Sequence, residues 1–362
     1  MTGRGEQTPV VTMRDVAQVA GVSQAAVSYA YNRPGKLSEA QRERIFQVAE
    51  ELGYIGPHAT GRSLRTGQVG ALGLMITDSL PYAFDDPATA ALLKGISEVG
   101  ELSEVALTLL PCPLESDRMA QGSGILLRGL VDGFLAYAMP HGHPAVETAL
   151  RRKLPVVIID GPNPGGLPRV GIRDREAARE AAEHVLSLGH RSIGILVDRL
   201  LPDGYRGPVT PARRRAARDL VMKERLAGYA AAFRSAGVPW SSATIIEAGG
   251  FHEAASQSAA ASLLDSEEVT AVLATTDVLA FATIGAARRR GLRIPRDLSV
   301  IGFDDLPTAA AAELSTVRQP LVDKGREAAR LLLDVIEGEQ PREIILPTEL
   351  VLRATTAPPP GG

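Results

Sequence analysis

Three side chains near the N-terminus have the residue types that read base edges in DNA. Gln24, Ala25 and Tyr29 occupy exposed positions at the start of a predicted helix. The Gln24 amide can pair with adenine, the Ala25 methyl group can contact a thymine methyl, and the Tyr29 hydroxyl can donate to a base or a phosphate. Candidate DNA contacts around them, including residues suited to binding phosphates, complete the set: Thr12, Ser23, Ser28, Asn32 and Arg33.

Capping signals place these residues in a helix-turn-helix. Thr12, with Asp15 three residues later, predicts the start of a first helix that ends at Gly21. Ser23 predicts the N-cap of a second helix that runs to about Asn32, so only three residues join the two helices. The short connection is typical of a helix-turn-helix that reads DNA.

A third helix is predicted from the capping box at Ser38 to Gly53. A generic three-helix cap would have the same periodicity, so the pattern alone leaves that alternative open. Residues 1–66 carry eight Lys/Arg and six Asp/Glu, a balance of +2, whereas the other 296 residues carry 31 and 36, a balance of −5. The basic end of the chain therefore coincides with the predicted helix-turn-helix, which favours a nucleic-acid partner there.

Composition bounds the remaining function classes. The chain has 362 residues, enough for two or three domains, with 45% hydrophobic and 22% charged residues and no apolar run that could span a membrane. We find no secretory signal and expect the cytoplasm; a single cysteine, Cys112, agrees with a reducing compartment. No catalytic, phosphate-loop or metal-site motif is present, so we expect no enzyme activity, cofactor or metal.

From residue 69 onward, short apolar strands alternate with Ala/Leu-rich helices, which predicts parallel βαβ units. About 290 residues of such units exceed one sheet, so we predict two doubly wound lobes with a crevice between them. Predicted strands are 71–76, 105–110, 133–137, 156–159, 193–197, 245–248, 271–274 and 300–303. Predicted helices are 88–102, 175–188, 223–236, 252–264 and 276–290. Residues 198–219 break this rhythm and indicate a long exposed loop or lid.

Several motifs in order resemble the lactose-repressor and galactose-repressor family of transcription factors. The matching stretches in the first 67 residues are 13–17, 20–23, 27–28, 32, 52–54 and 62–67. Those in the rest of the chain are 189–191, 224–229, 294–300, 302–305 and 316–320. The resemblance covers about residues 12–356 and implies an α/β protein: an all-α helix-turn-helix headpiece followed by a periplasmic-binding-protein-like effector domain of two doubly wound parallel-sheet lobes.

The resemblance implies a hinge helix in which Leu64 wedges into the minor groove while Arg62 and Arg65 contact phosphates. A plain interdomain linker is the alternative interpretation. Two positions depart from the family pattern. Gly61 replaces the usual alanine and lowers helix propensity, and Tyr29 replaces an arginine that commonly reads guanine.

The resemblance also implies an effector site in the crevice, beyond the carboxyl ends of the strands. An arginine and carboxylates that converge on an aromatic ring suit hydroxyl-rich or amine ligands. Alternatively, the Asp residues only cap the helices that follow them. The candidate effector-binding residues are Asp78, Arg225, Phe251, Asp277, Asp304 and Gln319.

We therefore predict a homodimeric or higher-order regulator, a repressor that binds a near-palindromic operator DNA and responds to a small-molecule effector (a sugar, a nucleoside or another small metabolite). The alternatives are a solute-binding protein or an α/β enzyme of similar core fold. Predicted domains are a headpiece at 12–56, a hinge at 57–67 and a core at 68–357, with an N-lobe (68–173 and 320–346) and a C-lobe (174–319 and 347–357).

Overall fold

A computed structural model describes most of the chain. The described residues are 11–32, 34–56, 69–77, 79–99, 105–114, 131–140, 142–162, 165–250, 252–266 and 269–360. The predicted hinge, with Arg62, Leu64 and Arg65, lies outside them, as do Arg33, Asp78 and Phe251. The chain divides into two compact units, one up to Gly70 and one from Ala71, and each is described by itself.

Three helices form the first unit, at the positions that their caps predict. They are α1 (Met13–Ala20), α2 (Gln24–Asn32) and α3 (Glu39–Leu52), with a 3-10 turn at Pro34–Lys36. The Ser38 hydroxyl accepts from the N–H of Gln41, and Gly21 ends α1 in the left-handed conformation. Fully buried Val16, Val27 and Ile45 bring one side chain from each helix into a shared core.

The second unit contains two sheets, and the first is entirely parallel. Its spatial order is β12-β5-β4-β3-β1-β2. The strands are β1 (Ala71–Thr77), β2 (Ala106–Cys112), β3 (Gly133–Tyr137), β4 (Val156–Ile159), β5 (Arg169–Ile172) and β12 (Glu343–Leu346). The helices of this lobe are α4 (Leu80–Asp85), α5 (Pro87–Ser97), α6 (Pro144–Arg151) and α13 (Leu321–Ile336). We call this part the N-lobe.

The second sheet has a parallel centre and an antiparallel strand at each edge, in the order β13-β11-β10-β9-β6-β8-β7. Its strands are β6 (Ile193–Val197), β7 (Gly207–Pro208), β8 (Thr244–Glu247), β9 (Ala271–Ala274), β10 (Ser299–Asp304), β11 (Ser315–Arg318) and β13 (Glu349–Val351). The helices of this lobe are α7 (Asp174–Ser187), α8 (Pro211–Arg215), α9 (Leu220–Ser235), α10 (Glu253–Ser266), α11 (Asp277–Arg289) and α12 (Pro307–Ala311). We call this part the C-lobe.

The chain passes between the two sheets three times. It leaves the N-lobe sheet after β5, returns between β11 and α13, and leaves again between β12 and β13. The predicted α/β fold, with an all-α headpiece and two doubly wound lobes, is confirmed. Residues at these passages lie where both lobes meet. A change in the relative position of the lobes would therefore change the surroundings of their side chains.

Each lobe has one helix pair that packs through a glycine. A Cβ on Gly228 of α9 would lie 2.2 Å from the carbonyl oxygen of Arg175 in α7, and a Cβ on Gly325 of α13 would lie 2.1 Å from that of Leu92 in α5. Because only glycine allows these approaches, each helix is held close to its neighbour. The same two helices carry Arg225 and Lys324, which are both buried.

Residues 198–219, predicted as a long exposed loop or lid, are mostly irregular and many of them are exposed, but the segment is not a continuous loop. The segment adds the edge strand β7 and the helix α8, and Arg213 fastens it to the C-lobe. The Arg213 guanidinium donates to Asp203 and to fully buried Glu247, and it stacks over the Tyr205 ring at 4.1 Å from the centroid. Only 12% of the Arg213 side chain is exposed, and its charge is neutralised by two carboxylates.

Candidate functional site

The exposed side of α2 presents the residues predicted to read bases. Ser23, Gln24, Ala25 and Tyr29 are exposed, with 36% of Tyr29 accessible, while Val27 on the opposite side is fully buried. Ser23 also caps the helix, since its hydroxyl accepts from the N–H of Ala26 at 3.1 Å. The helix therefore carries these side chains on its exposed face, as recognition by a helix in a major groove requires.

Two of the predicted DNA contacts are buried or already hydrogen-bonded within this unit. Ser28 is only 5% exposed, because it lies beside Val27 on the side of α2 that packs against the bundle, so a phosphate contact is not supported. The Thr12 hydroxyl donates to the Asp15 carboxylate at 2.6 Å, which also accepts from the Thr12 N–H. Thr12 is exposed but is engaged in the first turn of α1. Asn32 ends α2, and its side chain is not among those that the structure describes.

Arg44 is a candidate that the sequence analysis missed. Its guanidinium lies beside the helix-turn-helix connection, where a Cβ on Gly21 would be 4.0 Å from Nη2. Arg44 is exposed on α3. In the sequence, Arg44 is only one positive charge on a helix that lies far along the chain from the helix-turn-helix. This position does not indicate that its guanidinium lies close to the turn.

The second unit has a polar cavity of about 90 Å³ between its lobes, which we call the inner cavity. Arg225, Asp304 and Gln319, three of the predicted effector residues, line it. Further charged or polar lining residues come from both lobes: Asp86, Thr89, Tyr137, Asp160, Asp198, Arg199, Asp219 and Thr276. The structure thus brings together the candidates from α9, β10 and the passage after β11.

A chain of hydrogen bonds connects the two lobes through this cavity. Lys324 of α13 is fully buried and donates to Asp160 at 2.5 Å and to the Gln319 amide oxygen at 2.6 Å. The Gln319 amide nitrogen in turn donates to Asp304 at 2.5 Å. Asp304 lies 4.0 Å from Nη1 of Arg225. We call these groups, together with Asp174, the buried charge chain.

Arg225 is the anchor of the chain on the C-lobe side. Its Nε donates to Asp174 at 2.9 Å, its Nη1 donates to the Thr275 carbonyl oxygen, and its guanidinium lies 3.5 Å from the centre of the Phe303 ring. Burial acts to lower the pKa of Arg225, but Asp174 and Asp304 outweigh burial and raise it above the ordinary value. Arg225 is therefore a fixed cation whose charge is already balanced.

Burial makes some carboxylates at the cavity harder to ionise than free ones. Burial raises the pKa of Asp304 to about 8, although Arg225 and the Gln319 amide act against this shift. Burial also raises the pKa of Asp86 and of Asp174. Asp86 caps α5 and accepts from the Thr89 hydroxyl at 2.6 Å. These groups can accept from, or when protonated donate to, a polar ligand.

Backbone geometry at the cavity is unusual. Ala138, Asp160 and Asp304 all line the inner cavity, and their φ angles are +49°, +50° and +130°. Non-glycine residues rarely adopt this conformation, which costs about 1–3 kcal/mol each and persists where surrounding contacts hold it. Such strain is concentrated at binding sites, and here it occurs directly after β3 and β4 and at the end of β10, where the residues line the cavity.

Asp277 lies elsewhere. It is fully buried in the C-lobe and does not line the cavity. Its carboxylate accepts from the N–H of Leu306 at 2.8 Å and from the Thr316 hydroxyl at 2.6 Å. Asp277 thus fastens the segment that follows Asp304 and acts as a support rather than as a ligand contact. Cap signals after strands do not distinguish these two roles.

Asp160 and Lys324 are members of the buried charge chain that the sequence analysis missed. Asp160 directly follows β4, and Asp277 comes three residues after β9. A carboxylate near a strand end was therefore a signal available for both residues. Lys324 stands three residues after Leu321 on the apolar face of α13, and a charged residue at a buried helical position was the signal that could have found it.

A larger volume of about 580 Å³ opens beside the inner cavity, and we call it the outer cleft. The two volumes share Asp86 and Val278. Ser256 of α10 lines the outer cleft, is fully buried, and its hydroxyl has no hydrogen-bond partner among the described residues. A ligand of ordinary metabolite size requires about 300–1,000 Å³, so it would extend from the inner cavity into this cleft.

The described residues were searched for metal-binding clusters and for membrane-spanning helices. Those ranges include no group of three or more His, Cys, Asp or Glu side chains that could hold a metal ion. Within them, every helix is too short or too polar to cross a membrane.

Comparison with known proteins assigns both units. Residues 12–56 match the model for bacterial regulatory proteins of the lacI family, and residues 182–356 match a periplasmic binding protein-like domain. An HTH-type transcriptional regulator of Mycolicibacterium smegmatis is 39% identical over 356 residues, which cover 96% of this chain and 97% of that protein.

Solved structures agree with this assignment. A LacI-family transcriptional regulator from Corynebacterium glutamicum is 32% identical, with a TM-score of 0.76 and coverage of 97% of this chain and 100% of that one. The complex of the transcriptional regulator CelR with cellobiose is 25% identical, with a TM-score of 0.66 and coverage of 95% and 99%.

A helix-turn-helix unit and a two-lobed unit with a polar cavity together define a DNA-binding transcriptional regulator that responds to small molecules. The chain belongs to the lacI family of bacterial regulatory proteins, as its headpiece and its full-length relatives show. The resemblance predicted from the motifs is confirmed.

Proposed function

We propose that the protein is a homodimeric repressor whose affinity for a near-palindromic operator changes when a hydroxyl-rich small molecule occupies the inner cavity and outer cleft. One observation carries this proposal: Gln319 and Asp304 line the cavity and also lie beside a passage of the chain between the lobes. A ligand that contacts them acts on the junction of the lobes, so binding is coupled to lobe position.

The charge balance of the cavity supports a neutral ligand. Arg225 and Lys324 are each paired with carboxylates, so neither needs an anionic ligand to balance it. Asp86 and Asp304 offer oxygen atoms that hydroxyl groups can contact. The relative CelR forms a complex with cellobiose, which is consistent with a sugar or another polyol in this chain.

The exposed face of α2 supports operator recognition by Gln24, Ala25 and Tyr29, with Ser23 and Arg44 beside phosphates. In a dimer, two such helices would enter successive major grooves about 34 Å apart. The proposed boundaries are a headpiece at 12–56, a hinge at 57–67 and a core from 68 to 357. We further propose that the protein works by binding alone, without enzymatic turnover, since its relatives are regulators.

The experiment measures binding of the full chain to its own upstream DNA by fluorescence anisotropy, at several salt concentrations. We expect sequence-selective, salt-sensitive binding, and an affinity that shifts when one member of a panel of sugars and polyols, cellobiose included, is added. A shift in either direction supports the proposal, because an inducer and a corepressor use the same coupling.

Variants locate each part of the function. Tyr29→Ala should weaken selective binding by about 1–3 kcal/mol, whereas Gln47→Ala, at an exposed position of α3, should not. No selective DNA binding under any condition, with Tyr29→Ala behaving as wild type, would overturn the regulator proposal. Selective binding that no panel member alters would overturn the ligand class alone.

A further inference from the structure

A third volume, of about 600 Å³, lies on the C-lobe and shares no lining residue with the inner cavity or the outer cleft. It runs along α9 and the turn that follows this helix. Its apolar lining comes from Leu226, Ala227, Ala230, Val238, Pro239 and Trp240, and its charged lining comes from Arg214, Lys223 and Arg234. We call this volume the α9 groove.

The three cations of the α9 groove are not neutralised. No carboxylate lines the groove, and Arg214, Lys223 and Arg234 form no ion pair within the described part of the chain. Nearby charges do find partners: Arg213 pairs with Asp203 and Glu247. Burial and the adjacent Arg215 lower the pKa of Arg214, as expected for a cation without a counter-charge.

Trp240 forms the aromatic end of the groove. Its ring packs edge-on against Phe233, with centroids 5.1 Å apart, and the Arg214 guanidinium lies 5.4 Å from its ring centre. The indole Nε1 is buried and has no hydrogen-bond partner among the described residues. Most buried donors in proteins are satisfied, so an unmet donor at the edge of a groove is a second indication of an absent ligand group.

We propose that the α9 groove binds a small phosphorylated molecule with a planar or apolar body, at a site separate from the inter-lobe cavity. Three cations require more than one negative charge, and a phosphate group carries about −1.5 to −2 at neutral pH, whereas a carboxylate carries one. Arginine matches phosphate as a planar fork and lysine as a point charge.

The apolar lining and the size of the groove define the rest of the ligand. Leu226, Val238 and Trp240 offer apolar surface that inorganic phosphate would leave uncovered. A volume of about 600 Å³ falls within the range of metabolite sites, about 300–1,000 Å³. A ring attached to a phosphate would place its charge among the cations and its flat surface against the apolar wall.

Trp240 makes this proposal directly testable, because it is the only tryptophan of the chain. Its fluorescence, excited at the red edge of its absorption, reports the α9 groove. The full chain is titrated with adenosine monophosphate and, as a matched probe without the phosphate, with adenosine, both at constant ionic strength. We expect a saturable change with the monophosphate and none with adenosine.

The variant Lys223→Gln/Arg234→Gln should weaken monophosphate binding by about 10- to 100-fold, the range for loss of charge-assisted hydrogen bonds. Arg288→Gln removes an exposed cation from α11, outside the groove, and should leave binding unchanged. An equal response to adenosine, a change that does not saturate, or full affinity in the double variant would each overturn the proposal. The outcome is independent of operator binding and of the inter-lobe ligand.

Discussion

The inner cavity and the α9 groove differ in how their cations are balanced. In the cavity, Arg225 and Lys324 are buried and each donates to at least one carboxylate. In the groove, Arg214, Lys223 and Arg234 reach solvent and have no acidic partner within the described residues. A buried charge without a partner costs several kcal/mol, whereas water solvates an exposed one. The buried cations of the cavity therefore need carboxylate partners, whereas the exposed cations of the groove remain available to bind an anion.

One helix contributes to both sites. Arg225 of α9 enters the lobe interior, while Lys223 and Arg234 of the same helix line the groove on its other side. Basic residues on α9 therefore have different roles on its two faces: Arg225 is paired in the interior, and Lys223 and Arg234 line the groove.

The largest effect is expected from Lys324→Met, which removes the central cation of the buried charge chain. Asp160 and the Gln319 amide oxygen would lose their donor. Removing one partner of a buried pair costs about 3–5 kcal/mol in unfolding free energy. Denaturant unfolding followed by circular dichroism measures this loss, and Lys324→Met/Asp160→Asn should recover part of it. An unfolding free energy within about 0.5 kcal/mol of wild type would show that the pair is not coupled as described.

A smaller effect is expected from Arg225→Lys, which keeps the charge but loses the planar fork. One ammonium group cannot reproduce both the contact from Nε to Asp174 and that from Nη1 to the Thr275 carbonyl. We expect a loss of about 1.5–3 kcal/mol in stability and of the response to the effector. Unchanged operator affinity without effector would separate this effect from misfolding. A variant with the wild-type effector response would contradict the role given to Arg225.

The pH dependence of stability isolates Asp304. Because burial raises the pKa of Asp304 to about 8, the folded chain binds this proton more tightly than the unfolded chain does. The contribution of Asp304 to stability therefore declines as the pH rises from about 4 to about 8. Asp304→Asn should flatten the decline in Tm between pH 6 and 9 and should gain most relative to wild type at the alkaline end. Parallel Tm curves for the two proteins would contradict the raised pKa.

The smallest effect is expected from the groove. Lys223→Gln/Arg234→Gln should change the unfolding free energy by less than about 0.5 kcal/mol, because neither cation has an acidic partner among the residues that the structure describes. The same denaturant experiment measures it, with Lys324→Met as the contrasting variant. A loss above about 1 kcal/mol would show that these cations have structural contacts after all.

Much of the fold was predictable from local pattern. Capping residues and glycines placed α1–α3, and apolar runs placed β3, β4, β6 and β9 at their observed bounds. The strands β5, β11, β12 and β13 were missed, because they are short and contain Arg, Ser, Thr or Glu. These segments are extended because they pair with a neighbouring strand. A pattern within the segment itself does not reveal that pairing.

The site was only partly predictable, for a physical reason. Motifs identified Arg225, Asp304 and Gln319, but the role of a carboxylate at a strand end depends on what it faces. Asp277 faces Leu306 and Thr316 inside the C-lobe, whereas Asp160 faces the cavity and Lys324. Both carboxylates lie within three residues of a strand end, and tertiary packing decides which of them faces the cavity.

The coupling between ligand and operator is tested most directly by measuring the operator affinity of the full chain with neutral sugars and polyols and with their phosphorylated counterparts, in wild type and in Arg225→Lys. We expect one neutral compound to shift operator affinity by about 5- to 150-fold in wild type and not in the variant. A shift produced only by the phosphorylated compounds, or one that Arg225→Lys retains, would contradict the claim that a neutral ligand acts through the buried charge chain.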